Sequence, residues 1–350
     1  MVSLCLSKRG IVALSYSVGR KGNEQDAVCV MLDVTAFSLS DSVPPSSAQT
    51  IVPTLGLVCV TQSDAIRFRT VTRTRLLSFP PEEQATILRS IYSDNIMRLA
   101  RAVDFCAEHG IQLYRMSSAL FPSADTPEGA PVLAEFDTAL AAIGAASRES
   151  GLRIVAHLEP FVVLNSDNPP VIENSIRNLE YHASVLDRLG LPRSPWAAMI
   201  VHGGKSGRSE RLIETIAALP SPVKSRLVLE NDEDAYSASD ILAVCYATQV
   251  PMVFDAHHHV CREKLDSYEH LSVTEMFFAA RATWSNPAEQ IVHISNGREH
   301  FNDIRHSQYI TLMPSVYAFA PYIEVEAKAK EDAIAQLQTQ WLPTFSSLTE

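Results

Sequence analysis

No stretch of the 350-residue chain reaches the roughly 18 apolar residues of a membrane span, and the opening MVSLCLSKRGIV lacks the uninterrupted apolar core of a secretion signal. A membrane partner is not expected. Positive charge is also short: 29 Lys and Arg stand against 40 Asp and Glu, a net charge of -11. A purely non-specific nucleic-acid binder is basic, so any nucleic-acid contact here has to come from a local site. Six cysteines, Cys5, Cys29, Cys59, Cys106, Cys245 and Cys261, include no CxxC pair. Scattered through apolar runs, they read as reduced core residues of a cytoplasmic protein. Hydrophobic residues are plentiful, at 46%, which suffices for a large single core and excludes disorder over the whole length.

Residues 1–50 stand apart and read as a poorly packed N-terminal extension. Ala27 to Leu32 suits a strand, but SLSDSVPPSSAQT is linker-like. From Thr54 a rhythm begins. Eight apolar runs, TLGLVCV, IQLYRM, LRIVAH, WAAMIVH, RLVLE, PMVFD, QIVHI and YIEVEA, alternate with helical patterns. Those patterns cover Glu82 to Glu108, Val132 to Ser150, Pro170 to Leu189, Glu210 to Leu219, Ala238 to Thr248, SVTEMFFAARATW and Lys328 to Gln340. The runs are too apolar for strands with one wet face, so a buried parallel sheet is expected. Closure into a TIM (β/α)8 barrel over residues 51–341, with a short tail at 342–350, fits the count. An open doubly wound sheet is the rival, but it gathers its chemistry at one switch point, whereas polar ends recur here on six strands.

Those polar ends are His157, His202, Glu230, Asp255, His293 and the pair Glu324 and Glu326, with His257, His258 and His259 just past Asp255 and His306 in a later loop. Singly, each has a structural explanation as a cap or a satisfied core group. Together they would bury too much polar surface without a cation to hold it. A mixed nitrogen and oxygen set suits Mn, Zn or Fe. Eight candidate ligands, His157, His202, Glu230, Asp255, His258, His293, His306 and Glu326, exceed the needs of one ion, so two or three are expected, an arrangement that clamps a phosphodiester. Glu230, with two oxygens at the centre of the run, is the expected bridge. His257 and His259 cannot point where His258 does on a continuing strand and are expected in supporting roles. Arg67, Arg69, Arg73, Arg75, Arg115 and Lys205 crowd the loops at the same strand ends, as a basic rim for phosphates would.

The stretches YRMSSALFP, FVVLNS, ENSIRNLEYHASVLDRLGL, HGG, RLVLEND, VFDAHHH and VEAKAKE resemble, in order and over about Leu55 to Glu331, the ultraviolet-damage endonuclease family. The resemblance implies a TIM barrel that binds two to three divalent ions, manganese first with zinc, cobalt or magnesium as alternatives, and nicks duplex DNA immediately 5′ of photoproducts and other distorting lesions. It implies metal ligands at His157, His202, Glu230, Asp255, His258, His293, His306 and Glu326. The expected catalytic set is Glu230, His202, His258 and Lys205. The expected DNA contacts are Arg73, Arg75, Arg115, Lys205, Leu57, Pro160 and Phe161, and the partner is damaged double-stranded DNA bound by a monomer.

The chain departs from the family in four places. Pro160 and Phe161 stand where the family has a glutamine and an aromatic that probe the lesion, so only the stacking half is kept. Ser123 to Thr126 stand where it has a metal-binding histidine, and offer Asp125 or nothing. Leu57 replaces an aromatic and Ile291 a lysine. Two other readings stay open: a metal-dependent sugar isomerase on the same barrel, and a catalytically weakened DNA-binding relative. A groove lined by Arg73, Arg75 and Lys205 would favour DNA, and a lidded pocket the isomerase.

Overall fold

The computed structural model describes residues 3–6, 12–17, 27–32 and 52–346. The chain divides into two units, Met1–Thr50 and Ile51–Glu350. In the first, β1 (Ser3–Leu6), β2 (Val12–Ser17) and β3 (Ala27–Leu32) form an antiparallel sheet. The linker-like residues after Leu32, and the packing expected of residues 1–50, lie outside the described residues.

The second unit is a closed barrel of eight parallel strands with helices between them, a TIM (β/α)8 barrel. Its strands are β4 (Thr54–Val58), β5 (Leu113–Met116), β6 (Arg153–His157), β7 (Met199–His202), β8 (Leu227–Glu230), β9 (Met252–Asp255), β10 (Ile291–Ile294) and β11 (Tyr322–Val325). Nearly all strand residues are buried, as both faces of a barrel strand require. The helix ends follow local chemistry. Ser237 and Asp240 form a reciprocal capping box before Ala238–Thr248. Gly110, Gly151 and Gly190, at φ of +63°, +70° and +67°, end three helices in the left-handed region that a side chain disfavours.

Three boundaries differ from expectation. The first strand stops at Val58 because Cys59 turns to φ +64°. The pattern read as one helix from Val132 to Ser150 is two, Gly129–Ala134 and Asp137–Glu149. The closing helix starts at Glu331, because Lys330 is held at φ +48° and ψ -116°.

Alternation along the strands orders the barrel interior into layers. Leu113, Val155, Ala198, Ile200, Val228, Val253 and Ile291 pack as one cluster with Trp284 and Tyr322. Two residues before Val155, the buried Arg153 closes the N-terminal end. Its guanidinium lies 4.7 Å from the Trp196 ring centre and 4.6 Å from that of Tyr322, and donates to the carbonyls of Pro195, Trp196 and Glu289. Two residues after Leu113, Val155, Ile200, Val228, Val253, Ile291 and Tyr322, the same inward face carries Arg115, His157, His202, Glu230, Asp255, His293 and Glu324. The polar layer is thus a single consequence of strand parity.

Candidate metal centre

Strand register sets the polar residues side by side. His202 pairs with Glu230, and His293 pairs with Asp255 on one side and Glu324 on the other. Glu230, only 1% exposed, is the hub. His157 Nε2 lies 2.7 Å from its Oε2, His293 Nδ1 lies 2.9 Å from its Oε1, and His202 Nε2 and His258 Nδ1 approach to 3.7 and 3.5 Å. Three groups of potential ligands result: His157, His202 and Glu230; Glu230, Asp255 and His258; and His293, Glu324 and Glu326.

The donors fit a divalent cation on their hydrogen bonds as well as on their types. The ring N–H at Nδ1 of His157 donates to the Leu158 carbonyl at 3.0 Å, so in the neutral ring the lone pair at Nε2 faces a carboxylate oxygen. Two acceptors at that distance need a proton or a cation between them. His258 likewise donates through Nδ1 to the Asn231 carbonyl at 2.9 Å, which leaves Nε2 as its lone-pair nitrogen. His202 Nδ1, Asp255 Oδ2 and Glu324 Oε1 are buried without a hydrogen-bond partner. Each such group costs about 1–3 kcal/mol unless something binds it.

The electrostatics show the same demand for positive charge. Burial alone would lower the His258 pKa, but the carboxylates of Asp255, Glu230, Glu233 and Glu326 raise it to about 9. For His293, Glu230 and Glu324 likewise outweigh burial and raise it well above the usual range. Burial opposes ionisation of Glu230, yet His293, His202 and His157 hold its carboxyl well below the usual range. Burial also opposes ionisation of Glu324, which the neighbouring Arg115 and His293 bring down to about 2.

Local structure fixes the ligands' aim. Asp255 caps the helix Ala256–Glu263, taking the His258 backbone N–H on Oδ1 at 2.8 Å, so the three histidines sit on a helical turn and fan apart. His257 is held by the Tyr268 hydroxyl at 2.7 Å and donates to the Asp303 carbonyl at 2.9 Å, while His259 lies 3.0 Å from Ser272 Oγ. Asn231 ties the end of β8 to that of β9 through the Asp255 backbone. His306 is further out, its Nδ1 3.8 Å from Glu326 Oε2.

The expected DNA-facing residues divide. Arg73, Arg75, Lys205 and Pro160 are exposed, and Phe161 is 65% exposed. Arg115, expected on the basic rim, is instead buried: its long side chain reaches from β5 to Glu324 and Glu326 at the end of β11. Burial disfavours its charge, but those two carboxylates hold its pKa well above the ordinary value. Leu57, expected as an apolar insert, is fully buried in the core, because its parity turns it away from the barrel lumen. Arg67 is committed to the Gln62 carbonyl of its own loop, and Arg69 to Asp94 on the helix Pro81–Glu108. An open cleft of about 970 Å3 is lined by Arg73, Asp125, Phe161 and Arg177 but by no candidate metal ligand, and neither Arg75 nor Lys205 reaches it.

Sequence reasoning missed Asn165. This fully buried amide donates to the Gly203 and Lys205 carbonyls and to the Tyr236 hydroxyl, each at 2.9 Å, and accepts the Lys205 N–H at 2.8 Å. The Gly-Gly pair it grips has no room for side chains. A Cβ on Gly203 would meet the Tyr236 ring at 2.5 Å, and Gly204 has φ +78°. The loop after β7, which looks flexible in sequence, is bolted to the loop after β6.

Residues 53–350 match the family described as UV-endonuclease UvdE. A UV DNA damage endonuclease of Nostoc sp. is 52% identical over 314 residues, 88% of this chain and 97% of that protein. One of Deinococcus radiodurans is 50% identical over 296 residues, 84% of this chain and 97% of that protein. The crystal structure of SacUVDE matches with a TM-score of 0.70 at 25% identity, covering 85% of this chain and 99% of that one. Endonuclease IV from Thermus thermophilus shares the fold, with a TM-score of 0.52 at 14% identity over 84% of this chain and 99% of that one. Among the described residues no helix is long and apolar enough to cross a membrane.

Proposed function

The chain belongs to the UV-endonuclease UvdE family and is an enzyme of it, and from that premise we propose that it nicks damaged double-stranded DNA by hydrolysis. The cut falls immediately 5′ of UV photoproducts and other distorting lesions and leaves a 3′-hydroxyl and a 5′-phosphate. The observation that carries this reading is Glu230, buried at the end of β8 with an imidazole from β6 on one oxygen and one from β10 on the other. That donor set alone would also serve a metal-dependent sugar isomerase; the family match over residues 53–350 is what points it to a phosphodiester, whose charge cations must neutralise.

His157, His202, Glu230, Asp255, His258, His293, His306 and Glu326 would hold two to three divalent ions, manganese first and zinc, cobalt or magnesium as alternatives. When bound, the ions lower the pKa of water and neutralise charge developing on the phosphoryl oxygens. The protein's own groups do the rest. Glu230 would hold cations through either oxygen, since Oε2 faces His157 and Oε1 faces His293. Asp255 keeps Oδ1 on its helix cap and leaves Oδ2 for the centre. The Asn231 carbonyl takes the Nδ1 proton of His258 and so fixes its ring, and Nε2, 3.5 Å from Glu233 Oε2, is the nitrogen that would be open to an ion. Lys205, Arg73 and Arg75 face solvent at the strand ends, where they would take backbone phosphates and set register without reading sequence.

Lesion choice would come from deformability. A damaged step costs less to unstack, and Phe161, exposed on a turn stiffened by Pro160, is the apolar wedge that spends that difference. The enzyme is proposed to act as a monomer. Cys59, Cys106, Cys245 and Cys261 are all free thiols, which suits the cytoplasm.

The test is an end-labelled duplex carrying one photoproduct, incubated with manganese beside an undamaged duplex. One cut 5′ to the lesion is expected, lost in His202→Ala together with tight manganese binding. Equal cutting of both duplexes, or none of either, would refute the assignment.

A further inference from the structure

We propose that the Arg115 guanidinium is a resident cation of the centre. It takes, among His293, Glu324 and Glu326, the place that this donor set would otherwise give an ion, so that the chain holds two divalent ions and not three. The inference rests on the metal-dependent reading above and narrows it.

Three observations carry it. First, Arg115 already takes one oxygen of each carboxylate of that group, Oε2 of Glu324 and Oε1 of Glu326, while Glu324 Oε1 stays without a partner. Arg115 Nε donates to Glu324 Oε2 at 2.5 Å, Nη2 contacts Glu324 and Glu326 together, and Nη2 stands 3.3 Å from His293 Nε2. The guanidinium side chain is 8% exposed, so it has no solvent to retreat into, and an ion beside it would set two positive charges in contact. Second, the other two groups share Glu230, whereas the group whose carboxylates meet Arg115 lacks it. A carboxylate-bridged pair and a separate guanidinium is the division that this produces. His293 then turns Nδ1 to the pair, while Glu324, 2.8 Å from Nε2, orients the ring from behind. Third, residues 123–126 form a segment of the loop after β5 that supplies no ligand to any of the three groups. Its one carboxylate, Asp125, lines the cleft beside Arg73 and belongs to none of the three groups.

Charge supports the same number. Glu230, Asp255, Glu324 and Glu326 against Arg115 leave three negative charges. Two divalent ions exceed these by one, which a phosphodiester's single charge closes. Three ions would exceed them by three, with no further buried carboxylate among the three groups to answer them.

The experiment counts manganese per chain by elemental analysis after loading and desalting, with no DNA present. Two ions are expected for the wild type, and two for Glu324→Gln, which alters a carboxylate assigned to Arg115. Arg115→Lys, which keeps the charge, should also hold two, and Arg115→Met, which vacates the position, should hold three. Three ions in the wild type, falling to two in Glu324→Gln, would overturn the proposal, as would two in an Arg115→Met protein with an unchanged circular dichroism spectrum. Should Arg115→Met fail to fold, the wild type, Glu324→Gln and Arg115→Lys still decide. No bound ion at all would remove the metal-dependent reading itself, an outcome distinct from three.

Discussion

Asn165→Ala isolates the link between the fold and the site, because the residue touches no candidate ligand yet fixes the loop that follows His202. The substitution removes four hydrogen bonds and leaves the Gly203 carbonyl, the Tyr236 hydroxyl and both backbone groups of Lys205 without that partner. Such bonds contribute about 1 kcal/mol each. Lys205 lies at the surface, where water replaces part of the loss, so the expected destabilisation is about 2–3 kcal/mol. For a unit of this size that lowers the melting temperature by roughly 3–5 °C. Asn165→Asp should be no better, since it keeps the acceptor for the Lys205 N–H but sets a carboxylate against two carbonyls. Denaturant unfolding reads the stability, and elemental analysis the bound manganese. Manganese content should not change, because His202 is placed by β7 and not by the loop, while KM for a damaged duplex should rise as Lys205 loses its fixed position. A stability change within about 0.5 kcal/mol in both variants, or loss of manganese with the loop, would refute the reasoning.

Phe161→Ala and Leu57→Ala form a contrasting pair. The first removes an exposed ring and should change stability by less than about 0.5 kcal/mol while lowering discrimination between damaged and undamaged duplexes. The second empties a fully buried site and should cost about 2–5 kcal/mol with that discrimination intact in the folded fraction, so equal nicking ratios for Phe161→Ala and wild type would remove the wedge. Arg153→Met leaves three carbonyls of half-buried residues without their donor at the far end of the barrel. It should cost about 3–5 kcal/mol in denaturant unfolding with no loss of manganese per folded chain, and loss of metal would show that the two ends of the barrel are coupled.

The alternation of strands and helices was legible because a barrel strand is buried on both faces and so writes itself as a short apolar run, while glycines at helix ends write the stops. What was not legible is local. The break between Gly129–Ala134 and Asp137–Glu149 has no proline or glycine at Glu135 and Phe136 to announce it, and both residues suit a helix. The backbone of Lys330 has no sequence signature, since a lysine in the left-handed region is there against its own preference. The three histidines could not be assigned directions while the strand was taken to continue. Asp255 as a helix cap changes the repeat from alternation to about 100° per residue, and only then does one histidine of the three face Glu230.

The candidate centre was legible at the strand ends, because carboxylates and imidazoles repeated in that position have few other uses. Arg115 and Leu57 were assigned by residue type alone, as a surface cation and a surface hydrophobe, and parity corrects both. Arg115 lies two residues after Leu113, and Glu324 two after Tyr322, each an apolar lumen residue, so both point inward with the ligands. Leu57 lies next to Gly56, whose absent side chain leaves the lumen to Leu113, and so points outward under the helices. The same two-residue step that carries Val228 to Glu230 therefore carries Leu113 to a guanidinium. In a lumen already holding four carboxylates, that arginine serves the centre as a fixed counter-charge and cannot serve the surface as a phosphate contact.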